Sequence, residues 1–360
     1  MQGPHCAPAW LQSRIRGGEE LSSAVGVLLV ANVKGRTTPA DDYDGDSIIS
    51  EFLSATELDD IVSYFEGGGF YCEVVLDEEG FMKWIAERRT SFPRQQVLVY
   101  NLAQNGTGRA RLSLVAGLCR LHGLLLLDSD AYSVAIAHHK FHCLSLLAGF
   151  GLNVPPCWSF SQNGWWPSPP PTGLRLIAKP TYESASLGVG HDSVFTMNAG
   201  AEEHLLRKIA AYRQAMTVQE FIPGFEVEVP VFEADVPRSL AAVGIALGAE
   251  RDLADRILSY ERVFADKYSF YDFEEQNAVA AGEARRIAEK AFRCLELCGV
   301  GRVDFRIPKY GPPLIIEVNC KPHITKHSSV LVSLSTVDLS GIELAKYLVG
   351  TAGQRHRLAP

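Results

Sequence analysis

The run Gly301-Arg302-Val303-Asp304-Phe305-Arg306 is followed, beyond Tyr310-Gly311, by Leu314-Ile315-Ile316-Glu317-Val318-Asn319. This alternation of polar and apolar residues about a Gly-containing turn predicts a β-hairpin. Side chains two apart on a strand share a face. Pairing about Tyr310-Gly311 sets Asp304 opposite Glu317 and Arg302 opposite Asn319, so one face carries two carboxylates, a carboxamide and a guanidinium. The other face, with Val303, Phe305, Ile316 and Val318, reads as core. A purely structural role would leave an excess of buried negative charge after Arg302 had paired with the carboxylates. A divalent metal suits the polar face better, because Mg²⁺ takes hard oxygen ligands and usually shares them with phosphate. The hairpin therefore predicts a metal and nucleotide platform.

A chain of 360 residues is too long for one ordinary core, and a hydrophobic content of 47% can fill two or three lobes. The net charge of -8 provides no electrostatic footprint for a nucleic acid. No apolar run approaches a bilayer's thickness, which argues against a membrane role. The first apolar run, Val25 to Val30, reads as a strand rather than a secretion signal, so a cytoplasmic protein is expected. The eight cysteines contain no C-x-x-C pair and lie mostly in apolar patterns, as reduced buried thiols do. Cys320 follows Asn319, and strand alternation turns it to the core.

Residues 1–22 mix Pro, Gly and charge without periodicity and read as a flexible tail. Over 23–130, strands at Val25-Val33, Tyr71-Leu76 and Gln96-Tyr100 alternate with helices at about Ser47-Gly67, Glu79-Arg89 and Arg111-His122. That order predicts a small parallel sheet whose ligand edge lies beyond the strand C-termini. A central lobe follows over 131–215, with a helix over Val134-Leu147, strand Leu174-Lys179 and a Ser/Gly loop from Thr181 to Gly190. The C-terminal lobe, 216–352, opens with strand Thr217-Phe221 and contains a long helix near Val279-Leu297 before the hairpin at 300–320. Its stretch 251–273 mixes aromatic rings with Glu261, Arg262, Asp266 and Lys267 without a clean period, as a lid closing over a nucleotide would.

Several polar features occur in a fixed order: Lys140, Lys179, Ser184-Ala185-Ser186-Leu187-Gly188, Gln219 to Glu226, Lys267-Tyr268, and the hairpin. The set resembles the ATP-grasp superfamily and, within it, the D-alanine:D-alanine ligase family, with good motif agreement over about 120–335. The resemblance implies an α/β and α+β chain, an ATP-grasp fold behind an N-terminal parallel-sheet domain. It implies ATP-dependent joining of a carboxylate to an amine through an acyl phosphate, with release of ADP and phosphate. Small amino acids or related building blocks would be the substrates, and ATP with Mg²⁺ (or Mn²⁺) the cofactors. Relatives are often dimers through the first lobe, so a homodimer is expected.

Carried over by position, Lys140, Lys179 and Ser186 look like nucleotide contacts, Glu220, Phe221 and Ile222 like the adenine site, and Glu226 like the ribose ligand. Ile316 joins the nucleotide contacts, although alternation alone turns it to the core. Lys267 resembles the lid lysine that reaches the phosphates, with Tyr268 beside it in the catalytic set. Asp304, Glu317 and Asn319 match the metal ligands, Arg302 the arginine that stabilises the intermediate, and Ser328 a carboxylate ligand in the second-substrate loop. The chemistry agrees: phosphoryl transfer needs positioning and charge neutralisation, and a tetrahedral oxyanion needs a fixed donor, for which Arg302 is the one cation on the metal face.

The chain departs from the family's pattern at the amino-acid pocket. Ala185 replaces a serine, His323 stands where a glycine is usual, and Asn101-Leu102-Ala103-Gln104-Asn105-Gly106 lacks the first-lobe His-Gly pair. Asp44, Asp46 and Glu51 are all candidates for the first-loop acid. These changes leave the ATP and metal machinery whole and predict a preference other than a D-alanine pair. A ligase of cell-wall synthesis that forms D-alanyl-D-alanine, or takes a hydroxy acid, is the nearest alternative. A nucleotide-binding regulator without catalysis is a third reading, disfavoured because a binder needs no oxyanion donor.

Overall fold

The structure, a computed structural model, describes residues 7–44 and 46–359. Among these the strands form three sheets, met in chain order. The first contains β1 (Val25–Ala31), β2 (Tyr71–Leu76), β3 (Gln96–Leu102) and β4 (Leu125–Leu126), parallel and ordered β2-β1-β3-β4. All of β1 is buried and apolar, as a central parallel strand covered on both faces must be. Helices α1 (Ala9–Leu21), α2 (Ala55–Gly67), α3 (Asp77–Glu87) and α4 (Leu114–His122) belong to this lobe. The expected helix from Ser47 is interrupted: Ile48–Glu51 forms a 3-10 turn, and α2 starts afresh at a Ser54–Glu57 capping box.

Residues 9–21 are a helix rather than part of a flexible tail. Leu11, Ile15, Gly18 and Leu21 make its buried stripe, which lies against the C-terminal helix. The stripe escapes a hydrophobicity reading because Gly18 contributes by lacking a side chain. A Cβ there would lie 2.0 Å from the Lys346 carbonyl oxygen, and one at Gly350 would lie 1.9 Å from that of Arg14.

The central lobe begins with α5 (Ala131–His138) and α6 (Lys140–Gly149), one helix in expectation but two in fact. His139 adopts extended φ and ψ and caps α6 by accepting from the His142 N–H at 3.3 Å. The break puts Lys140 at the first position of α6, facing the cleft instead of lying along a helix side. Strands β5 (Cys157–Ser161), β6 (Gly164–Trp166), β7 (Arg175–Pro180), β8 (Val194–Thr196) and β9 (Met216–Glu220) form an antiparallel sheet ordered β6-β5-β9-β7-β8, backed by α7 (Ala201–Tyr212). The predicted lobe boundary at 216 is thus misplaced, since β9 is the middle strand of the central sheet.

The last sheet is built from β10 (Phe225–Phe232), β11 (Arg238–Ser239), β12 (Val243–Ala246), β13 (Ser269–Asp272), β14 (Val300–Ile307) and β15 (Leu314–Asn319), ordered β13-β12-β10-β14-β15 with β11 beside β10. Helices α8 (Tyr260–Phe264), α9 (Phe273–Cys294), α10 (Ser329–Ser335) and α11 (Gly341–His356) complete the chain. Ala281, Ala284, Ala288 and Ala291 of α9 are fully buried, and α9 packs against β10 and β14. On the opposite face Phe232 and Val300 join a core with α10, and Glu226, Glu228, Arg302, Asp304 and Arg306 line the cleft. No described helix is long and apolar enough to cross a membrane.

Candidate active site

The hairpin has the predicted register, with Arg302 opposite Asn319 and Asp304 opposite Glu317. The register then slips, so that Phe305 pairs with Ile315. Ile316 is the extra residue of a β-bulge, a device that re-aims side chains near active sites. Ile315 therefore goes to the core, and Ile316 lines the cleft beside Glu317. The core assignment of Ile316 from alternation fails for that reason. Gln219 Nε2 holds the bulge by donating to the Ile316 carbonyl at 3.1 Å.

Asp304 accepts from Arg302 Nε at 2.7 Å and Nη2 at 2.8 Å. Glu317 Oε1 lies 3.0 Å from Lys140 Nζ, which also donates to the Glu183 carbonyl. Burial pushes Glu317 upward, but Lys140 and Lys179 outweigh it and hold the carboxyl below its usual range. Burial pulls Lys179 down against the opposing attraction of Glu317. Two carboxylates and the Asn319 amide share one wall, each carboxylate already facing a cation. This donor set fits a hard divalent ion that shares its remaining positions with phosphate and water.

These groups line a cavity of about 630 Å³ between the lobes. At one end Phe221 lies under Arg175 and Arg306, at 4.9 and 5.4 Å from its ring, near Ile177, Val189 and Ile257. Glu220, Ile222 and Glu226 line the same end, and Glu226 Oε2 is 3.8 Å from Arg306. The Ser/Gly loop closes over it with Ala185 and Ser186 at φ 49° and 56°, a conformation in which side chains are strained. Ser186 is fixed there by donating to the Leu258 carbonyl at 2.9 Å.

The stretch 251–273 contains α8 and, from Ser269, the paired strand β13, and its first part touches the sheet through a bridge of Asp252 to Phe225. Tyr268 lines the cavity with its ring 5.0 Å from that of His327. Lys267 is exposed and is not brought to the cavity wall, unlike the other residues predicted for the nucleotide, metal and catalytic sets. Ser328 lines the cavity, but its hydroxyl caps α10 by accepting from the Leu331 N–H at 3.3 Å and donates to the Thr325 carbonyl at 2.7 Å.

Of the three candidate first-loop acids, Glu51 reaches the cavity. Asp46 is occupied elsewhere, accepting from the Gly188 N–H at 3.0 Å and Tyr212 Oη at 2.7 Å. Glu51 accepts from the Ser184 N–H at 2.7 Å and from Arg111 at 2.9 Å. Arg111 also bonds Glu183 at 2.8 Å, and all three side chains are about 1% exposed. Tyr43 Oη and Gln214 Nε2 donate to the other Glu183 oxygen at 2.5 and 2.8 Å. Burial pushes Glu183 upward against Arg111. Sequence reasoning missed Arg111, which it read only as the first residue of a helix; the residue lies in the 3-10 turn Arg111–Ser113 ahead of α4.

It also missed Glu228, although the signal existed. Glu226 and Glu228 are two apart on β10 and so share the cleft face, and Glu228 pairs with Asp304 across the sheet. Burial pushes Glu228 up to about 7, with Arg302 opposing and Asp304 adding.

Residues 146–349 match the family model described as D-ala D-ala ligase C-terminus. The D-alanine--D-alanine ligase of Nitrosospira multiformis is 28% identical over 266 residues, covering 70% of this chain and 81% of that protein. That of Aromatoleum aromaticum is 26% identical over 305 residues, covering 81% and 91%. Among solved structures, the D-alanine--D-alanine ligase of Bacillus anthracis complexed with ATP superposes with a TM-score of 0.67 at 14% identity, covering 93% of this chain and 99% of that one. The VanG D-Ala:D-Ser ligase of Enterococcus faecalis gives 0.65 at 16% identity, covering 91% and 99%. The structural likenesses establish the fold, and the family match spans more than half of the chain. With the cleft described above, they make the protein an ATP-dependent, ADP-forming carboxylate–amine ligase, and the chain belongs to the D-alanine–D-alanine ligase family of ATP-grasp enzymes.

Proposed function

We propose that this ligase joins small amino acids or related building blocks, and that a D-alanine pair is not its best substrate. The observation that carries the reading is the setting of Glu51. Its carboxylate is already engaged by Arg111 and the Ser184 N–H, and Ala185 offers no hydroxyl beside it. An ammonium arriving at Glu51 therefore meets a carboxylate whose hydrogen bonds are already committed, with Arg111 shared between it and Glu183. At the other end of the cavity His323 projects an imidazole where a bare glycine would leave room. A pocket built on hydrogen bonds discriminates strongly, so a changed partner set redirects choice.

In this reading Lys140 and Lys179 neutralise the phosphates, and Lys267 joins them when the lid closes. Asp304, Glu317 and Asn319 hold Mg²⁺ or Mn²⁺, which supplies further neutralisation of phosphate charge. Glu220, Phe221, Ile222 and Ile316 receive the base, Glu226 the ribose, and Ser186 the phosphate side of the loop. Arg302 leaves Asp304 in part to donate to the oxyanion formed as the amine attacks. Tyr268 and Ser328 border the second substrate. A cytoplasmic homodimer belongs to the same proposal, and light scattering on the purified protein tests the dimer.

The deciding experiment compares kcat/KM for D-alanine with that for L- and D-amino acids, short peptides and hydroxy acids, by ADP release and mass detection of products. A wide margin for the D-alanine pair would replace this reading with the alternative that the relatives' names favour, D-alanyl-D-alanine synthesis.

A further inference from the structure

One carboxylate in the cleft has no task in the roles above. Glu228 is 6% exposed, lines the cavity, and its Oε2 accepts no hydrogen bond. The nearest cation is Arg302, whose Nη1 is 3.4 Å away. That guanidinium is shared, since its Nε and Nη2 donate to Asp304 while Nη1 makes the ion pair with Glu228, so one cation serves two buried carboxylates. The buried Ser329 hydroxyl lies beside it and, with Arg302, opposes the upward push of burial on the carboxyl. Two buried carboxylates sharing one guanidinium leave an excess of negative charge that a further cationic donor would offset.

The position indicates which donor. Glu228 stands across β10 and β14 from Asp304, next to the arginine assigned to the oxyanion and at the cavity end bordered by Tyr268, His323 and Ser328. That end faces the amine substrate, which arrives as an ammonium with three N–H donors. A nucleotide phosphate would be repelled by the Glu228 carboxylate itself. Resting on the ligase reading, we propose that Glu228, with Ser329, forms the binding subsite for the ammonium of the amine substrate and so selects a nucleophile that is cationic in solution over a hydroxy acid.

Hydroxylamine separates this subsite from the rest of the reaction. It is largely uncharged at neutral pH and captures an acyl phosphate as the hydroxamate, so it reports carboxylate activation without needing an ammonium anchor. Wild type, Glu228→Gln and Glu228→Asp are assayed with a panel of L- and D-amino acids as acyl donors. Hydroxylamine or a primary amine (D-alanine, L-alanine, ethanolamine) serves as acceptor, with Mg²⁺ titrated. Glu228→Gln is expected to keep hydroxamate formation within about twofold while KM for the amine rises about ten- to a hundredfold, and Glu228→Asp to recover part of that loss. An unchanged amine KM overturns the proposal. So does a parallel fall in hydroxamate formation with a raised Mg²⁺ requirement, which would put Glu228 in the metal set. No hydroxamate from wild type with any donor would instead sink the ligase reading itself.

Discussion

Replacing Arg111 by alanine removes the single cation between Glu51 and Glu183 and leaves two carboxylates buried at the junction of the first and central lobes. The arginine makes ion pairs at 2.9 and 2.8 Å and donates to the Tyr182 and Gln104 carbonyls at 2.9 and 3.2 Å. Removing one partner of such a buried cluster costs about 3–5 kcal/mol, because the remaining charges lose their compensation. For a chain of this size that corresponds to a fall in Tm on the order of 10 °C. The loss has a pH signature. Burial already raises Glu183 above the ordinary value of 4.5, and Arg111 is what restrains it. Without Arg111 the folded state holds the Glu183 proton to still higher pH than the unfolded state does. The native variant is therefore least impaired below 4.5, and its deficit opens as pH rises from there through the raised folded value. Urea denaturation of wild type and Arg111→Ala at about pH 5 and about pH 8 measures both effects. Arg111→Lys, which keeps the charge but loses the planar fork, should fall between them. A variant within about 1 kcal/mol of wild type at both pH values, or a deficit that grows on acidification, refutes the cluster's assigned role.

Glu317→Gln and Asp304→Asn should each abolish turnover while circular dichroism and melting stay close to wild type; full activity at low Mg²⁺ would remove the metal assignment. Arg302→Ala should lower kcat about a hundred- to a thousandfold with little change in ATP affinity, and a pure rise in KM for ATP would make Arg302 a phosphate clamp instead. Hydrogen exchange should show residues 251–268 gaining protection with an ATP analogue and Mg²⁺, while β13 is protected in both states by its pairing with β12. Equal protection of 251–268 in the two states would make that segment a fixed element.

The sequence was most legible where one side-chain period ran uninterrupted. Arg302, Asp304, Glu317 and Asn319 fall on one face because strand alternation has no other solution, and their pairing follows from the turn at Tyr310-Gly311. Ile316 was not legible, since a bulge adds a residue without a mark in composition. The helix Ala9–Leu21 was hidden by Gly18, whose fit against Lys346 depends on a partner more than three hundred residues away. Lys140 was placed on the correct segment, but the break at His139 that aims it depends on a local cap formed with the backbone. Arg111 and Glu51 are brought together from two 3-10 turns that read as the first turns of longer helices, and a helical period says nothing about which turns meet in space.

The last sheet also explains why the cleft can form before a ligand arrives. On its cleft face Glu226, Glu228, Asp304 and Glu317 stand against Arg302 and Arg306, four carboxylates against two guanidiniums. The central lobe brings Lys140 and Lys179, two cations that offset the remaining two charges. Lobe closure is thus favoured by charge complementarity in a poorly hydrated space, where such attraction is stronger than in water. The same arrangement prepares an exchange of partners under the proposed function. Phosphate oxygens compete for the lysines, and the carboxylates they release, Glu317 first because it holds Lys140 at 3.0 Å, are those assigned to the divalent ion. A nucleotide without its metal would free those carboxylates with nothing to balance them, so the cleft should favour ATP and Mg²⁺ together over either alone. Calorimetry of ATP binding with and without Mg²⁺ tests this coupling, and equal affinities in the two conditions would show that the lysines and carboxylates act independently.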